Sequence, residues 1–167
     1  MHYCKYPSPL GILTIVSANN SIVGLWIEGQ HHFCENFNLN LVTSVSDSIL
    51  KAARKWLDDY FEGKNPNINV LSLAPGGSVF QQTVWRHLLE IPYGSTTTYG
   101  QLATRIATER GVAQMSAQAV GGAISRNPIS IIIPCHRVIG INGSLTGYAG
   151  GIEKKRWLLQ HEGVLVI

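Results

Sequence analysis

The stretch Thr98–Pro128, TYGQLATRIATERGVAQMSAQAVGGAISRNP, decides how the C-terminal half of this chain is read. Thr98 and Gln101 have capping-box spacing: the hydroxyl takes the amide three residues on, and the glutamine side chain returns to the cap amide. Leu102, Ala103 and Ile106 follow at helical spacing, and Gly111 supplies the stop. Ser116 then caps a second helix, Ala117–Arg126, closed by Asn127-Pro128. Two short helices in succession resemble a helix-turn-helix. The second carries small residues at Ala119, Gly121, Gly122 and Ala123. Spacing alone favours close helix packing over close approach to a nucleic-acid groove.

Downstream, Ile129–Ile133 is a short apolar run suited to a buried strand. It delivers the chain to Pro134-Cys135-His136-Arg137-Val138. Asn142-Gly143 marks a turn, and Tyr148–Gly151 a flexible loop. A last helix spans Glu153–Glu162, with Trp157 and Leu158 on its apolar side and Gly163 after it. Upstream, Ser78 and Gln81 repeat the capping box before Phe80, Val84 and Leu88, and Pro92 ends that helix. Lys64–Gly77, with Pro66, Pro75 and Gly76-Gly77, reads as a linker. Before it, Ser48–Glu62 reads as a helix with Ile49, Ala52, Ala53, Trp56, Leu57, Tyr60 and Phe61 on one face. Leu10–Ser17 and Ile22–Ile27 read as two strands of a hairpin turning at Asn19-Asn20. The expected division is an α/β domain with linker over 1–77 and a mostly α domain over 78–167.

The chain has 167 residues, 45% of them hydrophobic and 14% charged, which is enough for a packed core. A net charge of +3 permits nucleic-acid binding without requiring it. The three cysteines, Cys4, Cys34 and Cys135, are an odd number. Met1–Pro9 holds no apolar signal core, and no apolar run approaches the ~20 residues of a spanning helix. The expectation is a cytoplasmic chain with free thiols, any of which could be a nucleophile.

Cys135 is the candidate. A thiol attacks as thiolate, so it needs a base or a positive neighbourhood. His136 is adjacent in sequence, but neighbours on an extended segment point apart, so a bridging water is the plausible proton relay. An imidazole in that role needs a third group to fix its tautomer, and Glu162 at the end of the last helix could serve. Cysteine–histidine adjacency alone is weak evidence, because a cysteine in an apolar setting is usually inert.

The wider string carries more. Phe80-Gln81-Gln82-x-Val84-Trp85, Ile91-Pro92-Tyr93-Gly94, Thr98-Tyr99-Gly100-Gln101-Leu102-Ala103, Ala119-Val120-Gly121-Gly122-Ala123, Asn127-Pro128, Ile132–Gly140, Gly147-Tyr148-x-Gly150-Gly151 and Leu158-Leu159-x-x-Glu162-Gly163 occur in that order. Over Ser78–Gly163 the chain resembles the O6-alkylguanine-DNA alkyltransferase family, also called methylated-DNA–protein-cysteine methyltransferases. Over Met1–Gly77 the likeness is limited to Ser8-Pro9-Leu10-Gly11 and the strand-then-helix order.

The resemblance implies a ribonuclease-H-like N-terminal domain and a winged-helix-like C-terminal domain that binds DNA and accepts the alkyl group. It implies irreversible transfer from O6-alkylguanine to Cys135 in a monomer on duplex DNA, without a cofactor. His136 would be the base, Glu162 its orienting carboxylate and Asn127 a hinge between the helix-turn-helix and the active-site loop. The base must leave the duplex to be attacked, and the minor groove is the implied contact. Tyr99, Gln118, Ala119, Gly122, Arg126, Arg137, Val138, Tyr148, Ala149 and Gly150 are the implied contacts to DNA or to the flipped base. In particular, Tyr99 would press on the target phosphate, the Cys135 and Val138 carbonyls would accept from the guanine amino group, and the Ala149 amide would reach O6. One departure stands out: Gln118 occupies the position where the family carries an intercalating arginine.

Two rivals come from other classes. A non-enzymatic sensor of alkylated DNA would lack the acceptor cysteine. A cysteine hydrolase would need an oxyanion hole and turnover. Cys4, His31, His32 and Cys34 lack a convincing zinc-ligand spacing. Lys154-Lys155-Arg156 reads as a solvated helix face, and Trp26, Trp56, Trp85 and Trp157 read as core.

Overall fold

The computed structural model describes residues 1–35, 37, 42–44 and 46–166. It divides into two units, Met1–Gly76 with Pro128–Ile132, and Gly77–Asn127 with Ile133–Ile167. The first holds β1 (His2–Ser8), β2 (Gly11–Ala18), β3 (Ser21–Ile27) and β4 (Val42–Thr43) in the order β3-β2-β1-β4. Neighbours are antiparallel, apart from β4, which runs parallel to β1. Asn19 and Asn20 connect β2 to β3 with φ of 48° and 59°, as a tight hairpin requires. β1 lies outside the strands read from sequence; its buried positions Cys4 and Tyr6 alternate, but within a polar stretch. Gly24 in β3 leaves room for the Trp26 ring, which a side chain there would strike at 1.9 Å.

Helix α1 (Ser48–Phe61) packs on β1–β3. Asp47 caps it, accepting from the amides of Ile49 and Leu50 at 2.8 and 3.0 Å. Its buried face is Leu50, Ala53, Trp56, Leu57 and Tyr60, so Leu50 replaces the expected Ile49. The segment read as a linker is instead tied to the edge of β3: Ile22 N donates to Ser72 O, and Ala74 N to Ile22 O, at 2.8 and 2.9 Å. The strand expected over Ile129–Ile133 does not form. A single bridge joins Leu25 to Ile129, and the chain then turns at Ile131, where φ is 70°. A β-branched run is only a preference for strand, and here the local turn overrides it.

The second unit holds α2 (Val79–Leu89), β5 (Thr97–Thr98), α3 (Tyr99–Arg110), α4 (Ala117–Ser125), β6 (Val138–Ile139) and α5 (Ile152–His161). Ser78 with Gln81 and Thr98 with Gln101 form the expected capping boxes, and Ser116 caps α4. Gly111 ends α3 in the left-handed conformation. Trp85 of α2 donates its indole N–H to Ala123 O of α4 at 2.9 Å, and β5 pairs with β6 in parallel. Trp26, Trp56 and Trp85 are core; Trp157 is half-buried and stacks on His161. Among the described residues no helix is long and apolar enough to cross a membrane.

Candidate active site

Cys135 opens a short 3-10 turn, Cys135–Arg137, and is 6% exposed. Asn127, at the end of the helix-turn-helix, is buried beside it. The Asn127 amide donates to Ile133 O at 2.9 Å and also hydrogen-bonds the Cys135 thiol. Ile133 O receives the Cys135 amide as well, at 2.8 Å. Burial pushes the thiol above its ordinary range, while Asn127 and the charge of Lys155 pull it back.

His136 is fully buried. Its Nε2 lies 2.7 Å from Glu162 Oε1. Arg137 grips the same carboxylate, Nε to Oε2 at 2.9 Å and Nη2 to Oε1 at 3.0 Å. Burial opposes charge on Glu162, but the bonds from His136 and Arg137 prevail and hold its carboxyl down at about 2. Glu162 is therefore an acceptor, which assigns the imidazole proton to Nε2. Burial holds His136 below its ordinary value, so the ring is neutral at physiological pH. Its Nδ1 is buried and makes no hydrogen bond among the described residues. That lone pair is available to a proton.

Within the short charge run on α5, Lys155 does not lie on a solvated face. Lys155 is 0% exposed; its Nζ donates to Thr146 O at 2.9 Å and lies 5.7 Å from the centre of the Tyr99 ring. Burial lowers its pKa to about 8, and the Cys135 thiolate is the charge that opposes this. The missed signal was periodicity: Lys155, Leu158, Leu159 and Glu162 recur at three- and four-residue spacing on one buried face.

Tyr99, half-buried at the start of α3, donates its hydroxyl to Thr146 O at 2.9 Å. Tyr148 is buried, its hydroxyl has no partner among the described residues, and it feels the charges of Cys135 and Glu162. Ala149 and Gly150 are half-buried in the same loop, and Val138 is buried in β6. Arg137 does not face a nucleic-acid surface as expected. Its guanidinium is committed to Glu162, to Ile91 O at 2.7 Å and to the Tyr93 ring.

Helix α4 buries Val120, Ala123 and Ile124. Gln118, Ala119, Gly122 and, just past the helix, Arg126 are exposed. A side chain at Gly122 would meet nothing within 4 Å. Packing therefore accounts for Ala123 but not for Ala119 or Gly122, whose small size leaves the outer face of the helix low. In the other unit, Cys4 is buried in β1, while His31, His32 and Cys34 lie in the turn after β3. Among the described residues no three histidine, cysteine or acidic side chains gather as a metal site.

Comparison with known proteins gives consistent results. Residues 1–75 match the 6-O-methylguanine DNA methyltransferase, ribonuclease-like domain, and residues 79–164 match the 6-O-methylguanine DNA methyltransferase, DNA binding domain. A methylated-DNA–protein-cysteine methyltransferase of Methanosarcina acetivorans is 48% identical over 98% of this chain and 99% of its own. One of Haemophilus influenzae is 40% identical over 98% of this chain and 87% of its own. The crystal structure of Mycobacterium tuberculosis OGT in complex with DNA superposes with a TM-score of 0.83 at 38% identity, covering 97% of this chain and 92% of that one.

Proposed function

The chain belongs to the 6-O-methylguanine DNA methyltransferase family, whose activity is DNA repair by transfer of an alkyl group to a protein cysteine, and on that premise we propose that Cys135 is the acceptor. The carrying observations are a buried Cys135 thiol, hydrogen-bonded to Asn127, and its neighbour in sequence, a neutral His136 braced at 2.7 Å by Glu162. The thiol proton passes to His136 Nδ1 through one bridging water. Cys135 Sγ attacks the alkyl carbon; the S–C bond forms as the C–O6 bond breaks. The departing guanine takes a proton back from His136, leaving unmodified guanine in the DNA and a thioether at Cys135. A thioether is a poor alkyl donor, so each molecule acts once.

The exposed face of α4 supports a reading of the DNA contacts. Its low outer surface at Ala119 and Gly122 suits close approach to the minor groove, with Gln118 on its first turn and Arg126 just past its end. The target guanine leaves the stack and enters beside Cys135, lined by Tyr148, Ala149 and Gly150. The Cys135 and Val138 carbonyls accept from its amino group, and the Ala149 amide reaches O6. Tyr99 meets the target nucleotide only after exchanging its bond to Thr146 O. The protein acts as a monomer.

Substitution of Cys135 by serine tests the assignment. Cys135→Ser is expected to abolish repair of an O6-methylguanine duplex while duplex binding persists. Repair by that variant would sink the assignment, and multiple turnovers by the natural chain would favour the hydrolase.

A further inference from the structure

Four residues before the acceptor, Ile131 is a fully buried β-branched residue with φ of 70°. Branched L-residues avoid that region because the side chain crowds the backbone. The chain closes tightly around it: Ile132 N donates to Ser130 O at 2.8 Å, a three-residue γ-turn of the rare, left-handed sense. Three residues on, Cys135 N donates to Ile133 O at 2.8 Å around Pro134, whose φ of −82° and ψ of 64° define the relaxed, mirror-image γ-turn. The cysteine thus hangs from two turns of opposite hand.

Each turn is held within its own unit. Before Ile131, Ser130 N donates to Leu25 O at 2.9 Å, and Ser130 Oγ to Gln30 Oε1 at 3.2 Å. After it, Asn127 holds Ile133 O at 2.9 Å. A strained residue persists only where its surroundings over-determine it.

We propose that Ile131 is a positioning residue for alkyl transfer: its left-handed γ-turn fixes the path by which the chain reaches Pro134, and so the direction of the Cys135 sulfur. Ile131 acts through the backbone. In-line attack on a C–O bond is sensitive to small misplacement of the nucleophile. The proposal rests on Cys135 being the acceptor.

Ile131→Ala and Ile131→Gly separate this role from simple packing. Both remove the buried side chain. If Ile131 only fills space, glycine is the worse replacement, because it leaves the larger cavity and a freer unfolded chain. If the turn matters, the order reverses, because alanine keeps the Cβ that disfavours positive φ and glycine does not. The measurements are the thermal midpoint and the saturated rate constant for alkyl transfer from free O6-benzylguanine, which needs no base flipping.

The expected result is that alanine slows transfer about tenfold, glycine stays within about threefold of the natural chain, and glycine has the higher midpoint. Glycine slower than alanine, or alanine at the natural rate, overturns the proposal. If neither variant folds, Pro134→Ala loosens the second turn. A lower saturated rate with an unchanged half-saturating concentration then supports the proposal, and an unchanged rate overturns it. Peptide mapping of the natural chain keeps the two readings apart. An alkyl group on another residue refutes the acceptor, while the order of the two midpoints still reports on the turn.

Discussion

The proposed chemistry asks Cys135 to rest as a thiol and to attack as a thiolate. Burial makes the resting thiol the favoured form, and the hydrogen bond from Asn127 and the charge of Lys155 make the thiolate reachable. Lys155 is the more telling test, because it is buried with the Cys135 thiolate as the charge that favours its ammonium form. Lys155→Met keeps the length and removes the charge. It is expected to raise the Cys135 pKa and slow transfer about tenfold, one pKa unit being about 1.4 kcal/mol. Ultraviolet titration of the thiol checks the first effect and free-base kinetics the second; no change in either contradicts the role. The pH profile has a definite sign. Because burial raises the thiol pKa, the rate is expected to climb from pH 7 to 8 and to flatten above it as Lys155, at about 8, loses its charge; His136, held below its ordinary value, stays neutral across that range. A rate that falls from pH 7 to 8 contradicts the relay. At this scale Cys135, His136 and Glu162 were legible through the ordered string of motifs around them, because cysteine–histidine adjacency alone is weak evidence. Lys155 was not, because a lysine between two other cations reads as solvated until its helical face is traced.

At the scale of elements, the capping residues marked the starts of α2, α3 and α4, since a cap is a local interaction within four residues. The course of Ile129–Ile133 was not legible, because its turn is held by Leu25 and Gln30, both far away in sequence. Helix α4 carries the element-scale prediction. Its exposed first turn presents Gln118, a neutral amide, where a cation would meet the negative potential of the groove. Gln118→Arg is expected to tighten duplex binding and to steepen its logarithmic salt dependence by about one. It should accelerate repair in duplex more than transfer from free O6-benzylguanine. Equal acceleration of both reactions would mean that the substitution acts on the pocket and not on base extrusion.

At the scale of the whole chain, acid stability is concentrated in a few carboxylates. Glu162 sits at about 2 when folded against 4.5 as a free side chain, and Asp47 at about 2 against 3.8. Both are depressed, so their stabilisation is complete above the free values and is lost as pH falls through the folded ones. For Glu162 this is worth about 3 kcal/mol at neutral pH. The urea midpoint is expected to drop between pH 4.5 and 2, and Glu162→Gln should flatten that drop while lowering the midpoint at pH 7. An unflattened profile would place the acid-sensitive group elsewhere. The central claim, that one alkyl group moves once from DNA to Cys135, has a direct measurement. The protein is incubated with excess O6-methylguanine duplex, weighed intact, and digested with trypsin. The expected result is a single added methyl group carried by the peptide Asn127–Arg137, with one guanine restored per protein molecule. Methyl on a peptide holding Cys4 or Cys34, or more than one guanine restored per molecule, would contradict it.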